Sequence, residues 1–291
     1  MMTTQAKREK AQAKQQATLE KLEQGILNIS TEADWRKYLD FHSKFYNYSA
    51  KNTMLIYGQC PDASHVAGYK AWQKHGRQVR KGEKGIVILA PCKKKIEDKK
   101  TGDKAWQIFG FKTASVFDVS QTDGEELQET DIKAQTTEAE LYRNLKALGE
   151  AQGFTVLEQA YPGAYGVCIY KPTGIEIRVD PLLSVELRAS ILAHELGHAL
   201  MHNADEYKGH SLTSQKELEA ESVAYCVTQY FGVAEDQKRS FAYITCWNRE
   251  SDQALEQFKA SMSVIAKTVK AIIEGIEKIP SEKTEKDLIS A

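Results

Sequence analysis

The segment Ile191-Leu-Ala-His-Glu-Leu-Gly-His-Ala-Leu200 constrains this chain more than any other ten residues. Two histidines four apart meet on one face only if the backbone is helical, and their uncharged neighbours suit a helix inside a core. His194 and His198 can then reach one ion. Glu195 stands about 100° round the helix, placed to touch a water beside the ion without ligating it. A helix starting on the N-cap Ser184 and running through the motif is therefore expected.

A catalytic zinc takes three protein ligands, so a third is needed downstream. Glu217-Leu-Glu-Ala-Glu-Ser offers Glu217 and Glu221, four apart on one helical face, while Glu219 lies about 200° away from Glu217 and should point elsewhere. Glu217 is assigned as ligand and Glu221 as acceptor for the free ring N–H of a ligating histidine; the same geometry permits the reverse. His202 is about 12 Å along an ideal helix from His194, too far for a common ion, and is read as packing or capping. His210 is read as solvated rather than as an oxyanion donor, and Tyr207 and Tyr225 are candidate oxyanion donors or core residues. A structural zinc is usually closed by four Cys or His ligands, which this stretch lacks. Zn2+ with Glu195 as proton acceptor for an attacking water predicts a metallopeptidase.

The chain's net charge of -1 hides an uneven distribution. Between residues 70 and 112 thirteen cations face four carboxylates, enough excess to neutralise several phosphates. Tyr69, Trp72 and Trp106 are interleaved with them, and Tyr46 and Tyr48 stand upstream, offering faces on which unpaired bases stack. No duplex-reading motif accompanies them, so single-stranded nucleic acid without sequence preference is the partner expected. An acidic stretch then separates this region from the metal motif. Domains are placed at residues 1–29 (a charged helix or frayed arm), 30–122, an acidic linker 123–136, and 137–291. The fold class expected is α+β in two domains, the first with a long β-hairpin across a lysine-rich loop and the second mainly helical with a small sheet. The strand beginning near Gly85 is expected to end at Pro91.

No apolar run nears the roughly 20 residues of a membrane span, and the N-terminus has no secretory core, so a soluble, cytoplasmic protein is expected. Five scattered cysteines suit reduced thiols and receive no chemistry.

The stretches Tyr48-Ser-Ala-Lys-Asn52, Gly68-Tyr-Lys-Ala-Trp72, Gly76-Arg-Gln-Val-Arg-Lys-Gly-Glu-Lys84 and Phe117-Asp-Val-Ser-Gln-Thr122 resemble the N-terminal domain of the ArdC antirestriction family. The resemblance implies binding of single-stranded DNA, carried over here to Tyr48, Lys51, Asn52, Trp72, Arg77, Arg80, Lys81 and Lys84. His194-Glu-Leu-Gly-His198 with Glu217-Leu-Glu-Ala220 resembles the metallopeptidase domain of ArdC-like and LtrC-like conjugation proteins, related to ImmA/IrrE peptidases, and supports Glu217 as third ligand. Where ImmA-type proteins carry a Leu-Met-Pro-like segment, this chain has Tyr230-Phe-Gly-Val-Ala234, so their substrate preference is not carried over. Together the likenesses imply an antirestriction protein of a mobile element with an unknown protein substrate. The alternative is a non-enzymatic DNA-protecting protein with a structural or vestigial zinc site.

Overall fold

The computed structural model describes residues 3–97, 104–127, 136–202, 213–233 and 252–279, with Phe241 and Ile244. The chain divides into two compact units, Met1–Glu129 and Thr130–Ala291.

The first unit opens with helices α1 (Thr4–Leu27), α2 (Glu32–Lys44) and α3 (Ala50–Gln59). Strand β1 (Val66–Ala67), helix α4 (Tyr69–Lys74), strands β2 (Arg77–Val79), β3 (Ile86–Glu97) and β4 (Lys104–Asp118), a 3-10 turn (Val119–Gln121) and β5 (Thr122–Gly124) follow. A capping box fixes the start of α2, with Thr31 accepting from the Asp34 backbone and Asp34 reaching back. The segment Phe45–Ser49 then breaks the helical run, and Ser49 caps α3. Antiparallel β1, β4 and β3 form one sheet, and β2 pairs with β5 in a two-stranded ribbon. Phe41, Phe45 and Ile56 meet Ile86, Ile88 and Val116 in the core between α2, α3 and the hairpin.

Of the two alternatives for residues 1–29, a helix is what forms, and its C-terminal end is docked: Leu22 and Ile26 are buried, as is Ile29 just beyond it, and Gly25 lets Met54 of α3 approach closely. The sequence showed only a polar helix because the apolar residues that dock lie at its C-terminal end. Pro91 does not end β3, which continues to Glu97. The outer edge of β3 is covered by α3, whose Asn52 side chain bonds both backbone groups of Leu89 (2.9 and 3.0 Å) and whose Gln59 does the same for Val87 (3.1 and 2.9 Å). Pro91 is in phase with those residues, so its missing N–H falls on that edge and costs no ladder bond to β4.

His42 of α2 is 1 % exposed, and neither ring nitrogen has a hydrogen-bond partner. Its ring stacks at 5.9 Å on Tyr38. Burial alone holds its pKa down at about 4, against 6.5 for a free histidine. A histidine depressed in this way leaves the unfolded chain holding the extra proton, so the first unit loses stability as pH falls from about 6.5 towards 4. The full cost is about 3 kcal/mol. His42→Leu removes that slope. Denaturant titrations across this range, followed by tryptophan fluorescence, check it; parallel losses in both proteins would contradict it.

The second unit begins with α5 (Glu138–Ala151), capped by Thr137, and strands β6 (Thr155–Glu158), β7 (Gly166–Lys171) and β8 (Gly174–Val179). Strand β8 is central, parallel to β6 and antiparallel to β7. Helices α6 (Val185–Met201), α7 (Thr213–Tyr230) and α8 (Asp252–Glu277) complete the unit. Ser184 accepts from the Leu187 N–H at the start of α6, and Glu186 suits the positive end of the helix. Ala189, Leu192, Ala193 and Leu196 of α6, Val223 and Val227 of α7, and Phe258, Val269 and Ile272 of α8 are fully buried. Each large apolar side chain among them contributes about 1.5–3 kcal/mol. Among the described residues, no helix is long and apolar enough to cross a membrane.

Candidate metal centre

Helix α6 carries His194 and His198 one turn apart, and α7 lies against it with Glu217 opposite the pair. The close approach has a local cause. A Cβ on Gly197 would stand 3.3 Å from the Ala220 Cα, so glycine on α6 and alanine on α7 let the two backbones nearly touch. Any larger pair would push α7, and Glu217 with it, away from the histidines.

One donor atom each from His194, His198 and Glu217 lies within 4.8 Å of the others. His194 Nε2 and His198 Nε2 are 3.0 Å apart. Glu217 Oε2 is 3.4 Å from His194 Nε2, and its Oε1 is 3.5 Å from His198 Nε2. Tetrahedral donors bonded at zinc distances stand about 3.3–3.5 Å from one another. Two imidazoles and a carboxylate at these separations fit a small divalent cation, and water can approach because the Glu217 side chain is half exposed. Glu221 sits on the other side of His194, its Oε1 3.5 Å from Nδ1, at ion-pair distance but without hydrogen-bond alignment, so Nδ1 has no hydrogen-bond partner.

The electrostatics reflect the crowding. Burial opposes charge on His194, but Glu217 and Glu221 outweigh it and lift its pKa to about 9. Hydrogen bonds from the His194 and His198 rings in their protonated, cationic form hold the Glu217 carboxyl far below the usual carboxylate range. Burial raises the pKa of Glu195, against the pull of His194 and His198. Glu195 is 7 % exposed and stays outside the donor triad. Gly166, at the start of β7, makes room for it: a Cβ there would overlap Ile191 and lie 2.9 Å from Glu195 Oε1. Tyr170 of the same strand donates to the His198 carbonyl at 2.9 Å, tying β7 to the helix.

Behind the triad runs a set of contacts the sequence did not reveal. His202 is the C-cap of α6, with extended backbone, and its ring lies against that of His198 one turn back. Its Nδ1 is 3.0 Å from His198 Nδ1, and its Nε2 is 2.9 Å from Glu219 Oε2. Tyr225 is buried and packs edge-on against Phe241, a core role. Tyr207 and His210 lie outside the described residues. Burial pushes the Cys168 thiol up to about 12, which suits a packing role.

The proposed DNA-binding residues separate into two groups. Trp72 is 2 % exposed and donates its indole N–H to the Phe117 carbonyl at 2.8 Å, so it offers no face to a base. Asn52 is consumed by the edge of β3, and the Tyr48 hydroxyl donates to the Val66 carbonyl. Arg77 donates to Thr122 Oγ1 at 2.8 Å and to backbone carbonyls of Thr122, Gly124 and Glu125, which fastens β2 to β5. Arg80 is paired with Glu83 at 3.0 Å and Asp123 at 3.4 Å. Lys51, Lys81 and Lys84 are exposed. Residue type alone could not tell an inward donor from an outward one.

Tyr69 of α4 is 45 % exposed, and further exposed aromatics lie along the hairpin. Trp106 is 65 %, Phe109 63 % and Phe111 52 % exposed, with Ile108 beside them. Register places Lys95 opposite Trp106, Lys93 opposite Ile108 and Pro91 opposite Phe111, so apolar faces and ammonium groups alternate across one surface of the ribbon.

A two-unit α+β protein whose second unit brings a His-Glu-x-x-His helix against a glutamate helix is a metallopeptidase-like protein by fold and site. Residues 9–134 match the family model of the N-terminal domain of anti-restriction factor ArdC, and residues 150–270 match that of the IrrE N-terminal-like domain, Peptidase M78. The chain thus joins a region similar to the ArdC N-terminal domain to one similar to the IrrE-like M78 domain, in that order. An uncharacterized protein of Bacillus anthracis is 25 % identical over 290 residues, covering 86 % of this chain and 49 % of that protein. This chain thus spans about half the length of that relative. Crystal structures of the antirestriction protein ArdC from plasmid R388 are also similar. The metal-free one is 23 % identical (TM-score 0.49; 79 % of this chain, 84 % of that one). The Mn(II)-bound one is 22 % identical (TM-score 0.48; 80 % and 86 %).

Proposed function

We propose that this chain is a zinc-dependent peptidase held on single-stranded DNA, acting in antirestriction. The observation that carries the reading is the convergence of His194, His198 and Glu217 with a buried carboxylate, Glu195, beside them and outside the donor set. These three residues would hold the cation, which when bound supplies Lewis acidity to a water and a peptide carbonyl. Glu195 accepts the water's proton and holds it for the departing amine; its raised pKa makes returning the proton easier than it is for an ordinary carboxylate. Gly166 and Ile191 keep Glu195 in place. The ArdC-type first domain and its exposed hairpin favour single-stranded DNA as the tether. Trp106, Phe109 and Phe111 serve as stacking faces while Lys93, Lys95, Lys81 and Lys84 meet phosphates.

Two measurements test this. Hydrolysis of casein by the zinc-loaded chain should stop with chelator and resume with zinc; cleavage indifferent to chelator rules out the metal centre. Affinity for a labelled oligo-dT should fall steeply with salt and weaken about tenfold or more in Trp106→Ala, as expected for one lost stacking partner. Salt-independent affinity, or full affinity in that variant, counts against the hairpin as the DNA surface.

A further inference from the structure

Glu219 and His202 are both buried, at 6 and 4 % exposure, in a unit where most neighbours are apolar, and no step of the proposed reaction uses either. With Glu219 ionised and His202 and His198 neutral, their contacts have one consistent proton arrangement. Gln215 Nε2 donates to Ser261 Oγ at 2.9 Å and to Glu219 Oε1 at 3.1 Å. The Ser261 hydroxyl, already accepting, turns its own proton to Glu219 Oε1. Glu219 is therefore surrounded by donors and acts as acceptor on both oxygens. Its Oε2 faces His202 Nε2 at 2.9 Å, so the His202 proton sits on Nε2. The lone pair of a neutral His202 then sits on Nδ1, 3.0 Å from His198 Nδ1. Only the tautomer of His198 with its proton on Nδ1 satisfies that contact, and it leaves the Nε2 lone pair directed at His194 Nε2 and Glu217.

We propose that Glu219, acting through His202, is a positioning residue that fixes the orientation and tautomer of His198 and so readies Nε2 as a metal donor. The inference rests on the metal-site reading above but not on turnover. Three helices contribute: α6 gives His198 and, as its C-cap, His202; α7 gives Glu219 two residues past Glu217; and α8 gives Ser261. His202 stands one turn beyond His198, as His198 stands one turn beyond His194, so its ring comes against the His198 ring on the same side of the helix. A ligating histidine held through its other nitrogen loses less freedom on binding, and removing such support typically lowers metal affinity about 10–100-fold.

The test is long-range 1H–15N correlation of histidine-labelled full-length protein, metal-stripped and zinc-loaded. His198 should carry its proton on Nδ1 and His202 on Nε2 in both states. A metal-stripped His198 protonated on Nε2, or a His202 protonated on Nδ1 in either state, overturns the proposal, whether or not the protein hydrolyses anything. Zinc titrations supply a second readout. His202→Phe keeps a ring but no acceptor and should bind zinc 10–100-fold more weakly. His202→Asn, whose Oδ1 can accept from His198 Nδ1, should recover most of that loss. Equal weakening in both variants would mean packing alone, and wild-type affinity in His202→Phe would refute the chain of hydrogen bonds. If either variant fails to fold, the wild-type spectra still decide.

Discussion

Glu195→Gln is expected to lower hydrolysis by about 10²–10⁴-fold, the span that general acid–base catalysis contributes, while leaving zinc affinity close to wild type. The amide has the shape of the carboxylate, so it fits the space that Gly166 leaves beside Ile191. It cannot accept a proton. Metal binding should persist because His194, His198 and Glu217 form the donor set without Glu195. Rate and stoichiometry must be measured on the same preparation, by chelator-sensitive proteolysis and elemental analysis. A variant that keeps its rate places the base elsewhere. A variant that loses both rate and zinc makes Glu195 part of the donor set. Gly166→Val offers a check through position alone: its side chain would press Glu195 out of place, so rate should fall with the carboxylate still present.

The parts of this centre that could be read from sequence are those where helical periodicity converts directly into distance. His194 and His198 at spacing four, and Glu217 on a second helix, needed only that α6 and α7 exist, and Ser184 and the apolar pattern supplied that. How close the helices come was also encoded, in Gly197 and Ala220, yet a glycine and an alanine do not announce that they face each other. Glu219 was correctly turned away from the histidine pair by the helical wheel. Its partner was missed because a wheel shows which residues share a face of one helix, not which residue of a neighbouring helix that face meets. The proposed DNA surface was hardest to read. Trp72 and Arg77 have the chemistry of nucleic-acid ligands, but their donors are taken by Phe117, Thr122 and Gly124. Only tertiary structure shows that, and it also shows Phe109 and Phe111 turned to solvent in their stead.

Replacing each of the two glutamates of α7 that face the histidines should have unequal consequences, and the inequality identifies the third ligand. Glu217 addresses both Nε2 atoms, at 3.4 and 3.5 Å, with its two oxygens. Glu221 addresses only His194, and on the Nδ1 side. A histidine that binds metal through Nε2 carries its proton on Nδ1, where Glu221 can accept it. Glu221→Gln should therefore weaken zinc by about 10–100-fold, as for a side chain that only supports a ligand. Glu217→Ala removes a donor outright and should weaken it well beyond that range. The difference also appears in stability, because a cation at about a thousand times its dissociation constant adds about 4 kcal/mol to the folded state. Zinc should then raise the melting temperature of wild type and Glu221→Gln clearly and that of Glu217→Ala hardly at all, as competition titrations and calorimetry would show. The opposite order would transfer the ligand role to Glu221 and require α7 to slide by about one turn, about 6 Å, along its axis on loading, a shift that the close Gly197 and Ala220 contact opposes.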